Sequence, residues 1–341
     1  MKKKKLSIID IARQLNVSAT TVSFILNGKS KEKRISQEMT EKVMKHVEEI
    51  GYKPNLLARS FRTGKSNIIG LMVENISNSF FSNLARMIEE NAYEQGYKIL
   101  YCSTENDTSK ARELLQMFQA HHVDGYIITP TEGLEEDINM LVKSGAQVIL
   151  FDRKFENDLY DYVVLDNLQS TYNATKHLIR QGYDEIAFIT INSLQSQMQQ
   201  RLQGYEKAID EAGLTHYVKE LDYNMSAEDK TAHIRDFLKR KPRINAVLFA
   251  TNYNCISGLQ AIKQLNLSVP KDIAVVSFDD HILFELYSPS ITAIAQPIET
   301  MSSQLINVLL DKLASENLIN HKVVLAGSLI VRESSAKRTK K

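Results

Sequence analysis

The chain has 341 residues, 43% hydrophobic and 24% charged, with 42 Lys and Arg against 41 Asp and Glu and two cysteines. That composition suits a soluble globular protein and argues against a disulfide framework, and no apolar run approaches the roughly 18 residues of a membrane span. Single cores stop growing at about 250 to 300 residues, so the length asks for a sizeable domain pair plus an appendage.

Charge is unevenly placed. Residues 1–65 hold 15 Lys and Arg against 6 Asp and Glu, a balance of +9, while the remainder holds 27 against 35, or −8. One end is therefore suited to an anionic partner. Lys2 to Lys5 lead into a polar helix rather than an apolar signal core, which sets the expectation of a cytoplasmic protein with no membrane partner.

In chain order, Ser7 and Asp10 form a capping-box pattern before a helix that aligns Ile11, Ala12 and Leu15. Asn16 turns the chain. Ser18 caps a second helix that buries Val22 with Ile25 or Leu26 and stops at Gly28. A third helix follows Ser36, with Val43, Val47 and Ile50 on one face. Three short amphipathic helices with a tight turn between the first two match a helix-turn-helix module. Pro54 breaks that pattern, Asn55 is a good N-cap, and the residues to Arg62 allow about two helical turns, too few to be stable alone.

From Asn67 the texture becomes α/β. "IIGLMV", "KILYCS", "GYIITP" and "QVILFD" read as strands separated by helices near 80–95 and 109–121. "YVVLD", "EIAFIT", "AVLFAT" and "IAVVSFD" follow, alternating with helices near 168–181, 199–212 and 254–265. These are two similar, doubly wound, parallel-sheet halves. Gly96 and Gly182 each end a helix before a strand, in Gln-Gly-Tyr sequences.

Catalytic signatures are missing. Gly64-Lys65-Ser66 resembles a P-loop end, but Arg59 stands where its first glycine belongs and no strand precedes it. Neither a G-x-G-x-x-G fingerprint after the first strand nor a G-x-S-x-G elbow occurs. His121 and His122 are adjacent, a spacing that points two helical side chains apart and does not suit a metal site. The expectation is a non-enzyme with no catalytic residue, no metal and no cofactor, whose α/β halves bind a small molecule without transforming it.

The order of basic helix-turn-helix, conditional helix and two α/β halves resembles the LacI/GalR family of bacterial transcription regulators. The match lies in "DIARQLNVSATTVSFILNG", "RISQEMTEKVMKHVEEIGYKPNLLARSFRTGKSNIIGLMV", "RLQGY", "VVSFDD" and "SITAIAQP", and it covers essentially the whole chain. The resemblance implies a head over residues 1–54, a hinge over 55–65, and an effector-binding and dimerisation domain over 66–341. That domain would be of periplasmic-binding-protein type, with an N-subdomain at about 66–161 and 293–322 and a C-subdomain at about 162–292 and 323–335.

By the same resemblance, Ala19, Thr20 and Phe24 occupy base-reading positions. Phe24 departs from the long polar residue or arginine of many members; it either presses on thymine methyls or packs inward. Ser18, Thr21, Ser23, Asn27 and Tyr52 match positions that bond the DNA backbone, and Ser7 is placed with them. The loop Lys29 to Arg34 is longer than usual in the family, and its Lys31, Lys33 and Arg34 are expected to add salt-dependent backbone affinity. Asn55, Ala58, Arg59 and Phe61 match the minor-groove hinge, with Phe61 at the position of the apolar wedge.

The implied effector site comprises Phe80 and Phe81 as an aromatic wall with Asp152, Arg201, Asn252, Tyr253 and Asp279. Tyr253 stands where many relatives have aspartate, and Glu74 and Ser79 replace residues that are often Asp and Pro; the last two changes are expected to alter the loop more than the chemistry. The expected partners are double-stranded operator DNA, a second copy of the chain, and a sugar or sugar derivative, with a nucleobase or sugar acid as the other effector class. A sugar-transport protein, an α/β enzyme and a ligand-blind DNA-binding protein are the competing readings; the basic head counts against the first.

Overall fold

The computed structural model describes residues 6–52, 65–156, 159–314 and 321–338. The chain divides into two compact units, the first ending at Ser66 and the second beginning at Asn67.

In the first unit, helix α1 (Ile8–Leu15) starts in a complete capping box: Ser7 Oγ accepts from the Asp10 amide at 3.3 Å and Asp10 accepts from the Ser7 amide at 2.9 Å. Asn16 takes the left-handed conformation at φ 54°, and the chain re-enters a helix at once. Helix α2 (Ala19–Leu26) is capped by Ser18, whose Oγ accepts from the Thr21 amide at 2.9 Å, and Gly28 follows it at φ 69°. Helix α3 (Gln37–Glu49) is capped by Ser36. Ile11, Ala12, Val22, Ile25, Val43 and Val47 form one small core. Burying each large aliphatic contributes about 1.5–3 kcal/mol, which is what holds three helices too short to persist singly. Asn55, Ala58, Arg59 and Phe61 of the expected hinge lie outside the described residues.

The second unit has two six-stranded sheets. The first contains β1 (Ile68–Val73), β2 (Lys98–Ser103), β3 (Gly125–Ile128), β4 (Gln147–Phe151), β5 (Asp161–Leu165) and β11 (Lys322–Leu325), in the order β11-β5-β4-β3-β1-β2, all parallel. The second contains β6 (Ile186–Ile191), β7 (Tyr217–Leu221), β8 (Ala246–Phe249), β9 (Ala274–Phe278), β10 (Thr292–Ala295) and β12 (Ser328–Ile330), in the order β12-β10-β9-β8-β6-β7. Only β12 runs antiparallel there. The two halves thus repeat one topology, β2-β1-β3-β4-β5 and β7-β6-β8-β9-β10. Helices cover both faces, so β3, β6, β8 and β9 are buried throughout and read as apolar runs rather than alternations.

The connecting helices are α4 (Ser79–Glu94), α5 (Thr108–Ala120), α6 (Glu135–Lys143), α7 (Asn167–Arg180), α8 (Ser196–Glu211), α9 (Ala227–Arg240), α10 (Asn252–Gln264), α11 (Ile282–Leu286) and α12 (Ile298–Ala314). Helices α7 and α8 approach closely at Gly204, where an added Cβ would lie 2.3 Å from the Leu168 carbonyl oxygen.

Three connections pass between the lobes, and each lies a few residues later than the sequence suggested. Strand β5 pairs with β4 and β11 in the first sheet, with Val163 opposite Phe151 and Val323, so 162–165 and 323–325 belong to the N-lobe. Strand β10 pairs with β9 in the C-lobe. The chain therefore crosses after Leu165, after Ala295 and after Leu325. Ladder pairing decides this, and the apolar texture of the strands is the same on either side.

Candidate functional sites in the head and the inter-lobe cleft

Helix α2 is the second helix of a helix-turn-helix. Val22, Ser23 and Ile25 turn inward, leaving Thr20 exposed and Ala19 and Phe24 half-buried. Ala19 packs against the head core. Phe24 is not part of that core; its ring carries the Lys33 ammonium at 5.6 Å from the centroid. The hydroxyls of Ser18 and Thr21 bond each other at 2.8 Å, both at the exposed start of the helix. Ser7, Asn27, Lys31, Lys33 and Arg34 are also exposed. Tyr52 is half-buried against the core, and burial pushes its hydroxyl pKa up.

Ser23 does not fit the backbone role expected of it. It is 6% exposed, and its carbonyl oxygen accepts from Asn27 Nδ2 at 2.6 Å, because its position on α2 faces the core with Val22.

In the second unit, a cleft of about 880 Å³ opens between the lobes. Its walls are the loops that follow β1, β2 and β3 on one side and β6, β7, β8 and β9 on the other. This is the crevice beyond the carboxyl ends of the strands, where open α/β sheets bind ligands, and the volume suits a small molecule. Asn78, Ser79 and Asn106 face it from the N-lobe, and Gln195, Tyr223 and Asn252 from the C-lobe.

Polar contacts already bridge the two sides. Asn252 Nδ2 donates to Ser79 Oγ at 3.2 Å, and Gln195 Nε2 donates to Asn106 Oδ1 at 3.1 Å. Arg153 Nη1 reaches the same Asn106 oxygen at 2.9 Å, and its guanidinium pairs with Asp152 at 3.2 Å and with Glu74. Tyr223 of the other lobe lines the cleft with Glu74, and burial, followed by the charge of Glu74, pushes its hydroxyl pKa up.

Of the expected effector residues, Asn252 and Tyr253 line the cleft. Asp152, Arg201 and Asp279 are buried behind its lining, 7%, 2% and 7% exposed. Arg201 is taken up internally: Nε donates to Asn167 at 2.9 Å, Nη1 donates to the Ala250 carbonyl at 2.7 Å and lies 3.6 Å from Asp279, and the guanidinium sits 3.6 Å over the Phe278 ring. Burial pushes the Asp152 and Asp279 carboxyls above the usual carboxylate range, against the pull of Arg153 and Arg201 on the first and Arg201 on the second. Asp152 at φ 66° and Asp279 at φ 64° end β4 and β9 in the left-handed conformation, a strain that clusters at functional sites.

Phe80 and Phe81 do not form an aromatic wall. They are 6% and 4% exposed in the N-lobe core, with Phe81 packed edge-on to Phe151 at 6.3 Å. Phe80, Phe81, Leu84 and Ile88 fall on the buried face of α4, which commits both rings to the N-lobe core. The aromatic faces at the cleft are those of Tyr223 and Tyr253, with Lys230 5.8 and 5.2 Å from their centroids. Burial raises both tyrosine pKa values and lowers that of Lys230, which donates to the Tyr223 carbonyl at 2.9 Å.

Glu74 also differs from expectation. It is 7% exposed, pairs with Arg153 and lines the cleft, so its place is in the chemistry of the site and not merely in the loop. Arg153, Tyr223 and Lys230 were missed because only the strand order brings them together.

Among the described residues, no cluster of three or more His, Cys, Asp or Glu is arranged to hold a metal, and no helix is long and apolar enough to cross a membrane. The cysteines stand apart, Cys102 on β2 and Cys255 buried on α10.

Residues 7–55 match the family described as bacterial regulatory proteins, lacI family, and residues 175–335 match a periplasmic binding protein-like domain. The HTH-type transcriptional regulator RegA of Clostridium saccharobutylicum is 31% identical over 332 residues, covering 96% of this chain and 99% of that one. A lac repressor dimer solved with operator and the anti-inducer ONPF has the same fold, with a TM-score of 0.85, 21% identity, and 98% and 100% of the two chains covered. A periplasmic binding protein/LacI regulator from Alkaliphilus metalliredigens, solved with D-xylulofuranose, is 26% identical with a TM-score of 0.72, over 79% of this chain and 98% of that one.

Proposed function

The chain belongs to the lacI family of bacterial regulatory proteins and is a DNA-binding transcriptional repressor, and from that premise we propose that a small polyhydroxylated ligand in the inter-lobe cleft switches its grip on an operator. A homodimer reads a roughly palindromic site, with Ala19, Thr20 and Phe24 at base edges. Ser7, Ser18, Thr21, Asn27, Lys31, Lys33, Arg34 and Tyr52 face phosphates, and Asn55, Ala58, Arg59 and Phe61 serve the minor groove.

The observation that carries the switch is a cleft walled by both lobes with amides and hydroxyls. A ligand held by Asn78 and Ser79 on one side and Asn252 and Tyr223 on the other favours one lobe arrangement over another, and that difference in affinity is what moves an equilibrium.

Charge favours an uncharged sugar over a sugar acid. Glu74, Glu105, Asp107 and Glu132 line the cleft, against Lys230 and His281 as the basic residues among the described lining residues. The Alkaliphilus relative solved with D-xylulofuranose supports the same class. The rings of Tyr223 and Tyr253 favour a flat nucleobase as the second reading.

A thermal-shift screen of the full chain against neutral sugars, sugar acids, sugar phosphates and nucleobases tests this. Stabilisation grows as RT ln(1 + [L]/Kd), about 2.7 kcal/mol at 100 Kd. A rise with neutral sugars and none with acids is expected, and a response confined to anions overturns the assignment.

A further inference from the structure

Phe24 lies on α2 at a proposed base-reading position, and Lys33 lies on the basic loop that follows the helix. We infer that Lys33 is a positioning residue for Phe24, so that the basic loop after α2 sets operator preference as well as affinity. The inference rests on the reading of Phe24 as a base contact.

The loop is folded against the end of the helix. The Lys29 amide donates to the carbonyl of Phe24 itself at 2.9 Å, the Lys33 amide to Lys29 at 3.0 Å, and the Ile35 amide to Ser30 at 2.9 Å. Lys33 is thereby carried back over α2. Its ammonium lies 5.6 Å from the Phe24 centroid and also pairs with Glu32 at 2.8 Å. Phe24 is only half-buried and lies outside the head core, so core packing alone does not fix its ring. A cation over the ring face leaves the ring edge as the part free to meet a base.

Lys31 provides the internal contrast. It is exposed on the same loop but is not over a ring, so its influence on DNA is that of charge alone. A cation over an exposed ring contributes about 0.5–1 kcal/mol, a factor of about two to five in the population of the held orientation. That is the size of effect to expect on base discrimination.

The test uses the full-length chain on a duplex selected from a randomised palindromic library, and on single-base variants of that duplex, with Kd measured across salt concentrations. Phe24→Ala should weaken discrimination at particular base pairs. Lys33→Ala should weaken it at those same pairs by about two- to fivefold, and Lys33→Arg should restore it. Lys31→Ala should lower affinity for all duplexes alike and flatten the salt dependence.

If Lys33→Ala behaves as Lys31→Ala while Phe24→Ala still alters preference, the positioning role is wrong and the base contact stands. If Phe24→Ala leaves preference unchanged, the base contact fails, and the positioning role fails with it.

Discussion

Arg201→Ala is the substitution for which the structure gives the largest expected effect. The guanidinium is 2% exposed and serves Asn167, the Ala250 carbonyl and Asp279 at once. Removing one partner of a buried ion pair costs about 3–5 kcal/mol, and each buried acceptor left unpaired about 1–3 kcal/mol. These losses share one cluster and do not add. A net loss of about 4 kcal/mol is expected, on the order of 10 °C in Tm for a unit of this size.

The loss should also depend on pH. Asp279 already has a carboxyl pKa raised by burial, with Arg201 pulling it down, and without Arg201 it rises further. A group with a raised folded pKa lends stability that is complete below its unfolded pKa and is lost as pH rises through the folded one. Arg201→Ala should therefore be closer to the parent at pH 5 than at pH 7.5, and Asp279→Asn in the same chain should recover part of the deficit. Calorimetry at both pH values checks this. A Tm within 2 °C of the parent, or a deficit equal at both pH values with no recovery by Asp279→Asn, would show that Arg201 does not hold this buried cluster together.

Gly204→Ala should destabilise the effector unit by about 2 kcal/mol or more, since the new Cβ meets backbone at Leu168 rather than a movable side chain; a urea midpoint equal to the parent's would contradict it. Ser18→Ala should cost the head about 1 kcal/mol through loss of the Thr21 cap, seen as faster hydrogen exchange in α2, with Ser18→Asp retaining protection. His177 bonds Ser335 at 2.8 Å, and burial holds its pKa below the ordinary 6.5. A depressed folded pKa gives stability that is present above the unfolded value and lost as pH falls through the folded one. His177→Gln should therefore reduce the decline of Tm between pH 7 and pH 5, and an unchanged decline would show that other groups cause it.

Local signals in the sequence survive in the structure where one segment contains all the physics. Ser7 with Asp10, Ser18 and the left-handed Gly96 and Gly182 each decide their own helix end without help from distant residues. Strands buried on both faces were legible as apolar runs, whereas edge strand β7, "YVKEL", has only Leu221 fully buried and lacked a run to find. Phe80 and Phe81 were assigned to the cleft by resemblance, although Phe81, Leu84 and Ile88 already had the spacing of a core face. Arg153 was invisible for a different reason. Its partner Glu74 is far away in sequence, and only the order β4-β3-β1 brings the two loops together.

Ligand occupancy of the cleft is expected to change the affinity of the head for DNA. The direct measure is the Kd of the full-length chain for its selected duplex, with and without the compound that raises Tm most in the thermal screen, at fixed salt. A change of about fivefold or more, abolished by Asn252→Ala at the same ligand concentration, is the predicted result. Equal affinity at saturating ligand would show that the cleft does not govern DNA binding.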